Sequence, residues 1–316
     1  MKILLTSALL AITISVAAQN PDKALARVRY RFTHLKDTTE KDKPHTENML
    51  LVIGKNASVY TSYDKLNQEI EMKKNLMEQM KNQAGSGNIS IKIDKTGSKP
   101  TTAVDYFYFA NENKLFTKER LVTNYLIEEE APKINWKISK DTASFSGVLC
   151  QKATTYFKGR NWIAWFAQDL PFQSGPWKLN GLPGLIVEAY DDKKEVQFQF
   201  AGIENIVEAE LAAAAEDQKI STPGGVGTVK IVGLDMGSAY LGNEIKLPAD
   251  AVKTTKKELD KLKAARDKDP QGFMNAQMAA QGVSFGSATT TRTSTSFSST
   301  GKKNVTNNPI ELPETK

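Results

Sequence analysis

Gly175-Pro176-Trp177-Lys178-Leu179-Asn180-Gly181-Leu182-Pro183-Gly184-Leu185-Ile186 is dense in turn formers, yet it lies between two of the most apolar strand patterns in the chain. Upstream runs Asn161-Trp162-Ile163-Ala164-Trp165-Phe166-Ala167, and downstream runs Leu185-Ile186-Val187-Glu188-Ala189-Tyr190. Glycine tolerates positive φ and close backbone approach; proline fixes φ and lacks a donor. Gly181-Leu182-Pro183-Gly184 therefore reads as a tight turn, with Pro183 near its first corner and Gly184 in a conformation other residues resist. The leucines on either side of Pro183 are unusual in an exposed turn, so they are expected to tuck inward. Two readings stand side by side. In one, Gly175, Pro176, Gly181 and Gly184 build a buried corner joining two core strands. In the other, the stretch is a partner or ligand loop whose glycines let another chain come close.

Working outward, the pattern is mostly strand. From Ala26, Val28, Tyr30 and Phe32 alternate with Arg27, Arg29, Arg31 and Thr33, the period of a half-buried strand. Residues 49–53 and 58–63 flank Gly54-Lys55-Asn56 as a hairpin. Further strands are expected at 89–93, 103–110, 114–117, 120–127, 134–138, 148–157 and 161–167, with Gly159-Arg160 turning between the last two. Residues 185–190 and 195–200 pair across Asp191-Asp192-Lys193. Short strands joined by short turns imply an antiparallel meander. The expected fold is α+β and mainly antiparallel β, a strongly curved meander sheet or partly open barrel with one to three helices, one or two of them filling its concavity. Leu66, Ile70, Leu76, Met77 and Met80 recur at helical spacing over 63–84, with Asp64 as cap and Gly85 as stop.

The rest of the chain sets its organisation. Met1-Lys2, an apolar run over 3–16 and the small residues of Val16-Ala17-Ala18 read as a Sec signal peptide over 1–18, leaving Gln19 as the new N-terminus. No later run has the length of a membrane span, and no cysteine follows the cleavage site to carry a lipid anchor. The expectation is a periplasmic or secreted protein, not lipid-anchored. Residues 19–316 read as a single β-rich domain. Residues 212–227 read as an insertion and 229–232 as a strand. A helical insertion is expected at about 248–281, with Asp250 as cap and a break at Pro270-Gln271-Gly272. Residues 284–308 are rich in Ser, Thr, Asn and Gly and are expected to be disordered. Ile310-Glu311-Leu312 reads as a short edge strand.

Composition narrows the chemistry. The net charge is +6; losing Lys2 with the signal leaves 41 basic against 36 acidic residues, or +5. That mild, mixed balance gives no support to nucleic-acid binding. The lone Cys150 cannot form an intrachain disulfide, and its apolar neighbours predict a buried thiol. His34 and His45 are the two histidines, and neither has metal-ligand spacing. No metal and no cofactor is expected. Asp169 and Glu188 flank the motif and leave a carboxylate-pair hydrolase open. All four tryptophans lie between Trp136 and the motif. Trp162 and Trp165 point to opposite faces of one strand, so one can be core while the other meets a partner. Arg160, Trp162, Trp165, Trp177, Leu182, Pro183 and Leu185 are the candidate binding residues.

Gly181-Leu182-Pro183-Gly184-Leu185-Ile186 matches, letter for letter, the motif that names the GLPGLI family of secreted Bacteroidetes proteins. Cys150 with Lys152-Ala153, Gly159-Arg160, Ala164-Trp165-Phe166, Leu170-Pro171, Gly175-Pro176 and the closing Asn308-Pro309-Ile310-Glu311-Leu312-Pro313 resemble it too. The family has no characterised activity, so the resemblance supplies no catalytic residue. It implies a bowl-like fold similar to the N-terminal domain of a bacterial peptide-N-glycanase, and an envelope partner, since such proteins are often encoded beside TonB-dependent outer-membrane receptors. The leading expectation is an exported, non-enzymatic binding or accessory protein that contacts such a receptor. A carbohydrate-binding or glycan-processing module and a His-poor hydrolase are the alternatives. Asp37-Thr38-Thr39 and Asp141-Thr142-Ala143 resemble the acceptor tripeptide of Bacteroidetes O-glycosylation, and both are expected in exposed loops, making Thr38 and Thr142 candidate glycan sites.

Overall fold

The computed structural model describes residues 21–83, 99–205, 244–249, 251–280 and 306–314. The signal segment, the strands read at 89–93 and 229–232, the insertion at 212–227 and residues 284–305 lie outside the described residues. One sheet of 13 strands organises the rest. It starts in the middle, at β1 (Asp22–His34). One meander runs outward through β2 (His45–Gly54), β3 (Ala57–Ser62), β4 (Val104–Phe109), β5 (Lys114–Arg120) and β6 (Asn124–Glu130). The chain then crosses to the far edge, β7 (Lys137–Phe145). It returns through β8 (Val148–Phe157), β9 (Arg160–Ala167), β10 (Leu185–Asp191) and β11 (Val196–Asn205) to pair with β1 on its other side. The short β12 (Glu244–Ile245) pairs with β1, and β13 (Val252–Thr254) lies parallel to β6. All other pairings are antiparallel. The sheet is curved and does not close, as the strand pattern predicts.

Alternation fixes the register. Ala24, Ala26, Val28, Tyr30 and Phe32 of β1 are buried on one face while the arginines between them turn out. Two-residue turns at Ser146-Gly147 and Lys158-Gly159 have positive φ throughout, the geometry that matches hairpin twist. Arg160 is thus not in the turn but is the first residue of β9.

Three helices accompany the sheet among the described residues: α1 (Tyr63–Asn82), α2 (Lys256–Lys268) and α3 (Pro270–Ala280). The cap of α1 is Ser62, whose Oγ accepts from Lys65 N–H at 2.9 Å. Asp64 sits in the first turn and binds Asn48 instead. The start of α1 packs on the sheet through buried Leu66, whereas Ile70 and Met77 are exposed. The cap of α2 is Thr255 in a full capping box with Glu258, not Asp250. The break falls before Pro270, as expected.

Two clusters make the core, one on each face of β2–β4. The smaller joins Leu50, Val52, Val59, Phe107, Phe116 and Leu126 to Leu66 and Ile245. The larger joins Tyr30, Phe32, Leu51, Phe166 and Phe198 to Trp162, Trp177, Leu179 and Leu182. The large face is therefore covered by the β9–β10 connection, where a helix was expected. A coil segment can do this because its backbone groups find partners along the strands, as described below.

Three further expectations are corrected. Residues 138–145 are strand, so Thr142 lies on the exposed edge strand β7 and not in a loop. Ile310-Glu311-Leu312 pairs in no strand; it is bent chain docked on the hairpin turns. Asn308, read as the end of the disordered stretch, is buried.

Candidate functional site

The motif segment folds back along the strand it feeds. Leu185 N–H donates to Leu170 O at 3.0 Å and Ile186 N–H to Ser174 O at 3.0 Å. Trp177 takes the left-handed conformation at φ 56°. Gly184 sits at φ 153°, and a Cβ there would lie 2.1 Å from the Ala167 carbonyl oxygen. No side chain fits, so this glycine sets how closely the turn approaches the end of β9. Leu182 and Leu185 are buried at 1% and 0% exposure, while Pro183 between them is exposed. Trp177 tilts against Trp162 at 5.5 Å and against Phe157 at 5.7 Å. Tyr30 Oη donates to Ile186 O at 2.7 Å, tying β1 to β10 through the core.

Arg160 faces the same way as Trp162 and is 3% exposed. Its guanidinium donates to Asp191 at 2.7 Å, Glu195 at 3.2 Å, Asn308 Oδ1 at 2.6 Å and the carbonyls of Pro309 and Ile310 at 2.8 and 2.9 Å. Asp191 also accepts Val196 N–H at 2.9 Å. A planar, permanently charged fork suits such a set of acceptors. Asn308 presents its backbone oxygen to His34 Nε2 at 2.7 Å. Burial there holds the imidazole down to about 4, so His34 is neutral and donates.

The candidate contact residues therefore divide. Arg160, Trp162, Trp177, Leu182 and Leu185 are taken up by the core, and the structure removes them from the exposed surface. Trp165 and Pro183 remain at the surface. Trp177, Arg160 and Asp169 do not converge on an open pocket: the first two are buried, and Asp169 is exposed in the turn after β9.

The outward face of β7–β11 carries a different site. Trp165 and Glu188 are register partners, and Phe145 packs on Trp165 at 5.5 Å. The β7–β8 turn borders an open groove of about 560 Å³ lined by Ser144, Phe145, Ser146, Glu188, Phe200 and Arg31, together with Asn48, Gln199 and Ala201. Burial pushes the Glu188 carboxyl above the usual range, opposed by a 3.1 Å bond from Phe200 N–H. Burial, and then Glu188, raise the Cys150 thiol to about 11. That disfavours the thiolate, the reactive form. Among the described residues Glu188 is the one carboxylate lining the groove, and no second one stands with it as a glycosidase pair would. Among the described residues no group of three His, Cys, Asp or Glu side chains could hold a metal, and no helix is long and apolar enough to cross a membrane. Sequence reasoning missed Phe145, Ser144 and Phe200. Ser144 and Phe145 lie on β7, whose polar residues read as loop, and Phe200 lies on β11, where nothing local singled it out.

Comparison with known proteins agrees with the motif. No curated protein matches the chain. Two crystal structures of PNGF-II, a peptide-N-glycanase, are similar at 13% and 12% identity, with TM-scores of 0.39 and 0.38. Each match covers 58% of this chain but 29% and 28% of the solved one, so the chain spans less than a third of those proteins' length. A family model described as "Protein of unknown function (Porph_ging)" matches residues 35–188, which hold the motif, Arg160 and Trp165. Over that span, just under half of the chain, the sequence matches this GLPGLI-type family of unknown function.

Proposed function

We propose that this chain is an exported binding or accessory protein of the bacterial envelope, working in the periplasm after signal cleavage, and that its contact surface is the outward face of β7–β11. The observation that carries this reading is the division of the aromatic residues. The motif's leucines and isoleucine are buried in the core, whereas Trp165, Phe145 and the half-buried Glu188 stand beside an open groove. An aromatic shelf beside a carboxylate that burial has made proton-retentive suits a contact in which one partner side chain is desolvated. The family resemblance supplies the class of partner, an outer-membrane receptor of the TonB-dependent type.

A photo-reactive residue at Gln199, an exposed position in the groove wall, tests this in the native host. The expected result is one dominant adduct with an envelope protein, lost in Trp165→Ala at unchanged melting temperature. Adducts no stronger than those from the same probe at Lys55, an exposed position on the β2–β3 turn, would remove the groove from the contact surface.

A further inference from the structure

The segment Thr306–Glu314 crosses the body of the protein as a strap without joining the sheet. Asn307 and Asn308 N–H both donate to Lys36 O at 3.1 Å. Asn308 Nδ2 donates to Leu35 O at 2.8 Å. Asn307 Nδ2 donates to Asp37 Oδ1 at 2.9 Å. Further along, Arg160 grips the carbonyls of Pro309 and Ile310, and Lys178 pairs with Glu311 at 2.8 Å. Leu312 N–H donates to Lys158 O at 3.0 Å and packs on Gly159, where a Cβ would lie 2.6 Å from Leu312 Cβ. The groove thus reads an extended peptide by sequence. It takes an amide at 308, an apolar side chain at 310 and an acid at 311.

None of these contacts is local. The nearest partner in sequence, Glu195, is 113 positions from Asn308. The helix pair that precedes the strap in sequence supplies none of the bonds named above. Nothing in the recognition therefore requires strap and groove to belong to one chain. Residues 281–305, which lie between α3 and the strap in sequence, are outside the described residues.

We propose that the Arg160 groove is a peptide-binding site and that its resident ligand, the strap, is exchangeable, so that a second copy of this chain can supply it in trans. Exchange of an identical element keeps every bond, and mass action alone decides between cis and trans.

Cysteine pairing in the full chain tests this. Asp37→Cys and Asn307→Cys together in one copy should close a bond within that copy, because the two side chains touch. Placed singly in two differently tagged copies, mixed at about millimolar concentration and oxidised, they should yield a mixed dimer. Adding Asn308→Ala to the strap donor should lower that yield about tenfold, the loss of one strong anchor. The proposal is overturned if the mixed copies give no more dimer than a control pair with the body cysteine at exposed Lys55. It is equally overturned if Asn308→Ala leaves the yield unchanged, or if the double variant fails to close within one copy.

Discussion

Arg160→Met is the sharpest perturbation of the fold. Methionine keeps much of the stem volume and removes the fork. Asp191, 1% exposed, would then keep only Val196 N–H as a partner among the bonds described. Asn308 Oδ1 and the carbonyls of Pro309 and Ile310 would lose the same donor at once. Breaking a buried pair by removing one partner costs about 3–5 kcal/mol, because a charge is left uncompensated. Against a total stability of about 5–15 kcal/mol, this is a large fraction. At about 2–4 °C per kcal/mol, the melting temperature should fall by on the order of 10 °C. Asp191→Asn keeps an acceptor and should cost about 1–2 kcal/mol. Arg160→Met combined with Asp191→Leu should recover part of the loss, since no orphan charge remains. Thermal melts of the three variants, with hydrogen exchange at the Leu312 amide, read both the body and the strap. A drop of less than about 2 °C in Arg160→Met, with the Leu312 amide still protected, would refute the view that this guanidinium joins strap to sheet.

Gly184→Val should cost on the order of 3 kcal/mol or more, visible as a lowered melting temperature, because its Cβ would overlap the Ala167 carbonyl oxygen. Deleting residues 284–305 should leave the melt within a few degrees of wild type, whereas extending the deletion through 308 removes Asn308 and should cost about 2 kcal/mol more; equal melts would deny Asn308 its role. His34 has its folded pKa depressed to about 4 against 6.5 unfolded, so the unfolded chain binds more protons between those values. Stability should be full above about pH 6.5 and fall by up to about 3 kcal/mol as pH drops towards 4; in His34→Gln, denaturant melts across that window should lose this slope. Thr38 is exposed and hydrogen-bonded to Asn307; intact mass from the native host should show an added glycan that vanishes in Thr38→Ala, and a bare mass would dispose of both Thr38 and Thr142.

Most of the architecture was legible because β1 and β9 alternate clearly, β10 is a short apolar run, and the β7–β8 and β8–β9 turns carry glycine. β7 was not, because its outward residues Lys140, Asp141 and Thr142 are polar on an edge strand with little to bury. The strap was read as disorder running into a short strand. Its recognition is by amide and backbone groups, which leave no periodic trace in sequence. Arg160 was singled out, but as a surface contact; nothing local to Gly159-Arg160 announces partners 31, 35 and 148 positions away. The alternation set Trp162 and Trp165 on opposite faces without saying which was core; in the structure Trp162 is buried and Trp165 is half-buried.

The motif and the groove are separate in space yet joined through register. Gly184 lets the chain close on Ala167, and this fixes Leu185 opposite Ala167 and Ile186 opposite Phe166. Continued without interruption, that pairing would set Val187 against Trp165 and Glu188 against Ala164, whose side chain is wholly buried. A carboxylate would then point into the core at a cost of several kcal/mol. The ladder instead shifts between Ile186 and Glu188, so Val187 is the extra residue and Glu188 falls opposite Trp165. Bulges re-aim side chains in this way, and here the shift keeps Val187 buried while turning Glu188 to the groove. The six-residue motif thus acts on the groove without lining it. It locks the start of β10, and the bulge that follows decides which face Glu188 presents.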